Sequence, residues 1–267
     1  IGNSINNRTV LAAFGMSNVA TSRLNIVYDY FKKDIANVLH PKTLLSSYTK
    51  KHLDKDKNGK LKRFLIKFLK ASDFNIENLE IKEEEITITP EMLKMLQVIP
   101  GSEEVKNDVL KKGTITNSEL VFVHKTNDGE FSLSEGYESE GTMRFMGLGV
   151  LLEQLLLQGR TIPIDEVESS LHYELLSYFI KLFLLNSKKA SQLILSTHDL
   201  NLLDEDFIRR DIIWFTEKDD DNGETKLVRL SSLGLHKNLS PYNAYRQGKL
   251  VKLPFLGSLF LDIEEEE

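Results

Sequence analysis

The sequence predicts an α/β fold, and three observations carry that reading. From Phe131 onward, short apolar runs alternate with segments of helical period, the pattern of strands covered by helices and of a largely parallel sheet. The apolar runs "TIPI" and "SQLILST" lie about 30 residues apart, the length of one βαβ unit. The first 75 residues read as mainly helical and carry little of this alternation.

The elements follow in order. "RTVLAAFGMSN" reads as a helix. A longer one spans "TSRLNIVYDYFKKDIANVL", where Leu24, Val27, Tyr28, Phe31, Ile35 and Val38 recur at helical spacing and Thr21 or Ser22 can cap. A third covers "GKLKRFLIKFLKAS". "LEIKEEEITITP" alternates apolar and polar residues and ends in Pro90, the mark of an exposed or edge strand, and "ELVFVHKT" is a second strand. Residues 91–117 read as an insertion or loop. "SLSEGYESEGT" is a turn leading into the helix "MRFMGLGVLLEQLLLQG". Strand "TIPI", helix "HYELLSYFIKLFLLNS", strand "SQLILST" and a short helix "LNLLDEDFI" follow. "DIIWFTEK" and "TKLVRLSSL" face each other across Asn222-Gly223, a hairpin turn. The expected division is 1–78, a helical arm; 79–130, strands and loops; and 131–267, an α/β lobe.

Forty acidic residues against 34 Lys and Arg give a net charge of −6. That argues against a surface built wholly for nucleic acid but leaves room for a local basic patch. The chain has no cysteine. Disulfides and thiolate metal sites are therefore excluded, and a reducing, cytoplasmic setting fits. No uncharged run reaches membrane-spanning length, and no membrane partner is expected.

Three motifs carry chemistry. In "TIPIDEVESSLH" a buried parallel strand ends in Asp165 and Glu166, at the end of the strand where such sheets bind ligands. Nucleotide hydrolysis needs one acid for the Mg²⁺ shell and a second group to orient water. In "ILSTHD" the next strand ends in Thr197, His198 and Asp199, which sets His198 toward Glu166 and toward a γ-phosphate. In "ESEGTMRFMGLG" Ser139, Gly141 and Thr142 open a long helix whose N–H groups and dipole suit a phosphate, with Arg144 one turn in. Nowhere does the chain contain G-x-x-x-x-G-K-[ST], the loop that cradles triphosphate.

In this order, S-E-G-T-x-R, then I-D-E-x-E-x-S-L-H, then S-T-H-D resembles the ABC/SMC-like P-loop ATPase heads. The nearest likeness is to the AAA-family ATPases of abortive-infection and restriction-linked loci, the AbiLi/RloA type. The likeness spans nearly the whole chain and is most specific over 131–250, with "SPYNAYRQGKLVKLPFLG" similar to that group's ending. It implies the C-terminal lobe of such a head, using ATP and Mg²⁺, with the phosphate loop upstream of Ile1. It implies that Asp165 coordinates Mg²⁺ through water, Glu166 polarises the attacking water and His198 contacts the γ-phosphate. Ser139, Gly141 and Thr142 would close on the ATP of a second head. Ser170 and His172 would lie in the D-loop at that dimer interface. Tyr173 departs from the proline frequent after that histidine. The implied cycle controls a defence or nucleic-acid-related effector.

"DKDKNGKLKRFL" matches the start of a calcium loop at Asp54, Asp56, Asn58 and Gly59, but the twelfth position is Leu65 instead of a bidentate glutamate. A bend between helices is the simpler reading. The lysines around it, with Arg63, form a basic patch suited to nucleic acid, to an acidic partner or to solvent. For the whole chain, a non-hydrolysing, nucleotide-dependent interaction module is a second reading. A transporter's nucleotide-binding subunit ranks below both.

Overall fold

The structure is a computed structural model that describes residues 10–15, 22–92, 113–219 and 222–253. The segment expected as an insertion, for its stretch 93–112, and the acidic Glu264–Glu267 tail lie outside them. The chain forms two compact units, residues 1–197 and 198–267.

The first unit is built around one helix. Its elements begin with α1 (Val10–Phe14), α2 (Ser22–Asp29), a π-helical turn (Tyr30–Asp34), α3 (Leu45–Leu53) and α4 (Lys60–Lys70). Next come β1 (Ile76–Thr87), β2 (Thr114–Thr126), β3 (Gly129–Ser134), α5 (Glu140–Gln158), β4 (Thr161–Ile164), α6 (Tyr173–Asn186) and β5 (Gln192–Leu195). Helix α5 is buried along most of its length, from Thr142 to Leu155, as its nearly continuous apolar sequence requires. Helices α3, α4 and α6 pack around it. Its two internal glycines allow the close approach. A Cβ on Gly147 would sit 2.4 Å from the Leu45 side chain, and one on Gly149 would sit 2.7 Å from Phe68. Phe68 and Phe145 stack at 4.4 Å between α4 and α5.

The long helix expected through Val38 stops early. After Asp34 the backbone is extended, and Ile35 and Leu39 bridge in parallel to Thr161 and Ile164. Backbone bonds from Ala36 N to Thr161 O (2.9 Å) and from Leu39 N to Pro163 O (3.0 Å) fix the register. β4 in turn pairs in parallel with β5. Segment 35–39, β4 and β5 therefore run side by side, all in one direction.

The other strands are antiparallel: β1–β2–β3 in this unit, and β6 (Trp214–Lys218) with β7 (Thr225–Arg229) in the second. The described residues thus form a mixed α/β structure of small, mostly antiparallel sheets, which corrects the expectation of a largely parallel sheet. Part of the reason is β3, which turns back on β2 through Asn127-Asp128 and whose sequence reads as turn. In the second unit, Phe215, Leu230, Ala244, Leu250 and Val251 form the core between the β6–β7 hairpin and α7 (Pro241–Arg246). Asp204 accepts from Tyr242 N (3.0 Å) at the start of α7. Among the described residues, no helix is long and apolar enough to cross a membrane.

The calcium-like loop has a structural role. Both carboxylate oxygens of Asp56 accept backbone N–H groups at the start of α4, from Lys60 and Lys62, at 2.9 Å each. Asp56 therefore satisfies the free donors of a helix N-terminus. Gly59 supplies the left-handed bend there, at φ 62°.

Candidate active site

Polar residues emerge together where the three parallel segments end. Segment 35–39 ends in His40, β4 in Asp165 and Glu166, and β5 in Ser196. Asp165 N donates to Leu39 O (2.8 Å), Ser196 N to Ile164 O (3.0 Å) and Val167 N to Ser196 O (3.1 Å). These bonds hold the three ends level.

Ser196 is the centre of the arrangement. Its hydroxyl donates to Asp165 Oδ1 and accepts from Glu166 N (3.0 Å). The second Asp165 oxygen lies 3.5 Å from His40 Nδ1. The Ser196 hydrogen bond is the main reason the Asp165 carboxyl sits below the usual carboxylate range. Slight desolvation opposes it, while His40 and the Glu166 N–H add to it. Asp165 is thus a half-exposed, ionised carboxylate with its orientation fixed. Glu166 is exposed and sits at φ 44°, an uncommon conformation for a side chain larger than glycine. The strand breaks at this residue, so two adjacent acids can serve one site.

The first turn of α5 is capped by its own hydroxyl groups. Ser139 is the N-cap, its oxygen accepting from Thr142 N (3.0 Å) and lying 2.7 Å from Thr142 Oγ1. Both hydroxyls are thereby engaged with each other, and Thr142 is buried. A Cβ on Gly141 would lie 3.0 Å from the Ser170 carbonyl oxygen. The glycine is needed because the turn after β4 rests on it. The first turn of α5 and the turn after β4 therefore pack together. Ser170 itself has φ 60°. His172 caps α6, its Nδ1 accepting from Glu174 N (3.3 Å).

Arg144 faces inward. It is 5% exposed and donates to the carbonyls of His40 (3.3 Å) and Pro41 (3.2 Å). Its Nε and Nη2 are buried without a hydrogen-bond partner. Burial pulls its pKa down, with Glu140 and Glu168 acting the other way. The sequence suggests a cation for phosphate oxygens. Here its guanidinium instead fastens the turn that carries His40 to the first turns of α5.

His198 is exposed and is the first residue of the second unit, whereas Asp165 and Glu166 belong to the first. Asp199 caps the 3-10 turn Leu200–Asp204 by accepting from Asn201 N (3.0 Å). Sequence reasoning misses His40 and Ser196. Each has a signal: like Asp165, each directly follows a short, mainly apolar run, "IANVL" and "QLIL".

A family model described as "AAA domain, putative AbiEii toxin, Type IV TA system" matches residues 21–204, which is 184 of the 267 residues. The chain belongs to this family. The AAA family is one of P-loop ATPases, so a nucleotide-binding ATPase domain is the coarse identity of the chain. The matched span includes Ser139, Asp165, Glu166 and His198, together with His40 and Ser196. No curated protein matches the chain.

Among the described residues, no group of three or more His, Asp or Glu side chains is arranged to hold a metal ion. The AAA chemistry does not require one. Mg²⁺ is commonly held by one or two carboxylates, with water and substrate phosphates completing its shell. A single ionised, oriented and accessible Asp165 fits that demand.

Proposed function

We propose that this chain is the catalytic-strand half of an ATP-hydrolysing head of the abortive-infection or restriction-linked type. The observation that carries the reading is the meeting of Asp165, Ser196 and His40, with Glu166 in a strained, exposed turn, at the ends of parallel strands. Ligands bind such ends in open α/β sheets. Asp165 would hold Mg²⁺ with its nucleotide, and the ion would supply charge that offsets the phosphate oxygens. Glu166 accepts the proton of the attacking water as its oxygen bonds to the γ-phosphorus. The bond to the β-phosphate oxygen breaks and ADP departs with that electron pair. His198 orients the γ-phosphate. Ser139, Gly141 and Thr142 close on the nucleotide of a second head, beside Ser170 and His172.

The triphosphate cradle comes from chain outside these 267 residues. Supporting this, β5 has an open outer edge among the described residues, and Ile194 on it is 48% exposed. Parallel strands are ordinarily covered on both faces. A strand leading to a phosphate loop would complete the sheet there. The family description names a toxin of a toxin–antitoxin system, and a defence effector under ATP control accords with it.

The test is Asp165→Asn in the full-length protein. Mg²⁺–ATP affinity is expected to fall about tenfold or more, because an oriented charged ligand is removed. Affinity for ATP in EDTA is expected to hold. Equal loss with and without Mg²⁺ would remove Asp165 from the metal shell.

A further inference from the structure

We infer that the exposed face of α4 is a docking ridge for the phosphate backbone of a nucleic-acid duplex. Charge in this chain is sharply segregated. Residues 50–70 carry eight lysines and Arg63 against Asp54 and Asp56, a balance of +7 inside a chain of net −6. Such local reversal in an acidic protein marks a surface for polyanions.

The structure turns this composition into a shape. Lys60, Arg63, Lys67 and Lys70 are all exposed and recur at three- and four-residue spacing, so they form one row along α4. Ten residue rises make the row about 15 Å long. Lys51, Lys55 and Lys57, also exposed, precede the helix start in the chain. Lys70 pairs with Glu77, and among the described residues Lys60, Arg63 and Lys67 have no ion-pair partner. Asp56, four residues before Lys60, is committed to capping α4.

The surroundings select the partner. A membrane surface needs an apolar helix face to insert. Here Leu61, Leu65, Phe68 and Leu69 are buried against the protein. Single strands need exposed aromatic rings on which bases stack. On α4, Phe64 is half-buried and Phe68 is buried, the two stacked on each other. A protein interface wants an apolar centre with few lysines, and this ridge has neither. A straight row of cations matches a duplex, which presents one phosphate charge per about 1.7 Å of axis. Because Phe68 stacks on Phe145, the ridge is rigidly joined to α5, the helix that begins just after Ser139.

The inference does not rest on the nucleotide reading, and its test needs no ATP. Full-length protein is titrated into a labelled 30-base-pair DNA duplex of mixed sequence, at about 50 and 200 mM salt, and anisotropy is read. The Lys60→Glu/Arg63→Glu/Lys67→Glu variant is expected to bind at least tenfold more weakly at low salt. Its salt slope should fall by about 2–3, about one unit for each phosphate that the variant no longer neutralises. The milder Gln triple should fall in the same direction, and it guards against misfolding of the reversed-charge variant. A Lys218→Glu/Lys237→Glu/Lys249→Glu control carries the same net charge and should bind as wild type. Four results would overturn the inference: no duplex binding by wild type at low salt, equal loss in the control, tighter binding of a 30-base single strand or of poly-glutamate, or ridge-dependent binding to phosphatidylserine vesicles in place of the duplex.

Discussion

Ser196 is the residue on which the candidate site turns. One hydroxyl orients the Asp165 carboxylate and anchors the Glu166 N–H in its strained turn. Ser196→Ala removes both bonds without adding bulk. A hydrogen bond to a charged group is worth about 1.5–3 kcal/mol. Mg²⁺–ATP affinity or turnover should therefore fall about tenfold or more, with the melting temperature little changed because the side chain is exposed. Wild-type turnover in this variant would show that Asp165 needs no orienting partner. Arg144 illustrates the opposite lesson. A cation one turn into a phosphate-facing helix looks like a ligand in sequence, but burial commits it to the carbonyls of His40 and Pro41. Only packing distinguishes the two uses of an arginine.

Helix α5 packs against α4 and β4 and begins just after Ser139. Glu153, half-buried on this helix, has its carboxyl raised by burial first and by Asp56 second. The folded state therefore holds this proton more tightly than the unfolded state. As pH rises through the ordinary glutamate range, near about 4.3, the unfolded chain ionises first and folding loses stability. Glu153→Gln should melt higher than wild type at pH 7, with the gap closing below about pH 4. A gap that stays the same at both pH values would show that the charge is not the cause. Element by element, the sequence is most readable where the period is unambiguous. Helices α4 and α6, strands β4 and β5, and the β6–β7 hairpin at Asn222-Gly223 lie where periodicity and turn chemistry put them. Segment 35–39 is not readable. Ile35 and Val38 continue the spacing set by Phe31, and nothing local reveals that β4 offers a parallel partner. Strand β3 escapes the sequence reading because its apolar residues are sparse and its end runs into a stretch that reads as turn.

At the scale of the molecule, the candidate site is a half-site. Asp165, Glu166, the orienting Ser196 and the Ser139-capped helix α5 belong to one chain. The pattern G-x-x-x-x-G-K-[ST] does not occur in its sequence, and β5 has an open edge among the described residues. The three motifs are legible because each sits at an element end, where polar residues interrupt apolar runs. Their mutual support through Ser196, Arg144 and the packing of Gly141 on Ser170 is not, since it joins residues far apart in the chain. In the proposed mechanism Glu166 takes the proton of the attacking water while contributing little to nucleotide binding. The most direct measurement is steady-state ATP turnover by full-length Glu166→Gln, with ATP-dependent dimerisation measured in parallel. Turnover should fall at least about 100-fold, the contribution typical of a positioned general base, while the dimer still forms on ATP. Turnover equal to wild type would contradict the role assigned to Glu166 and, with it, the reading of the strand that carries it.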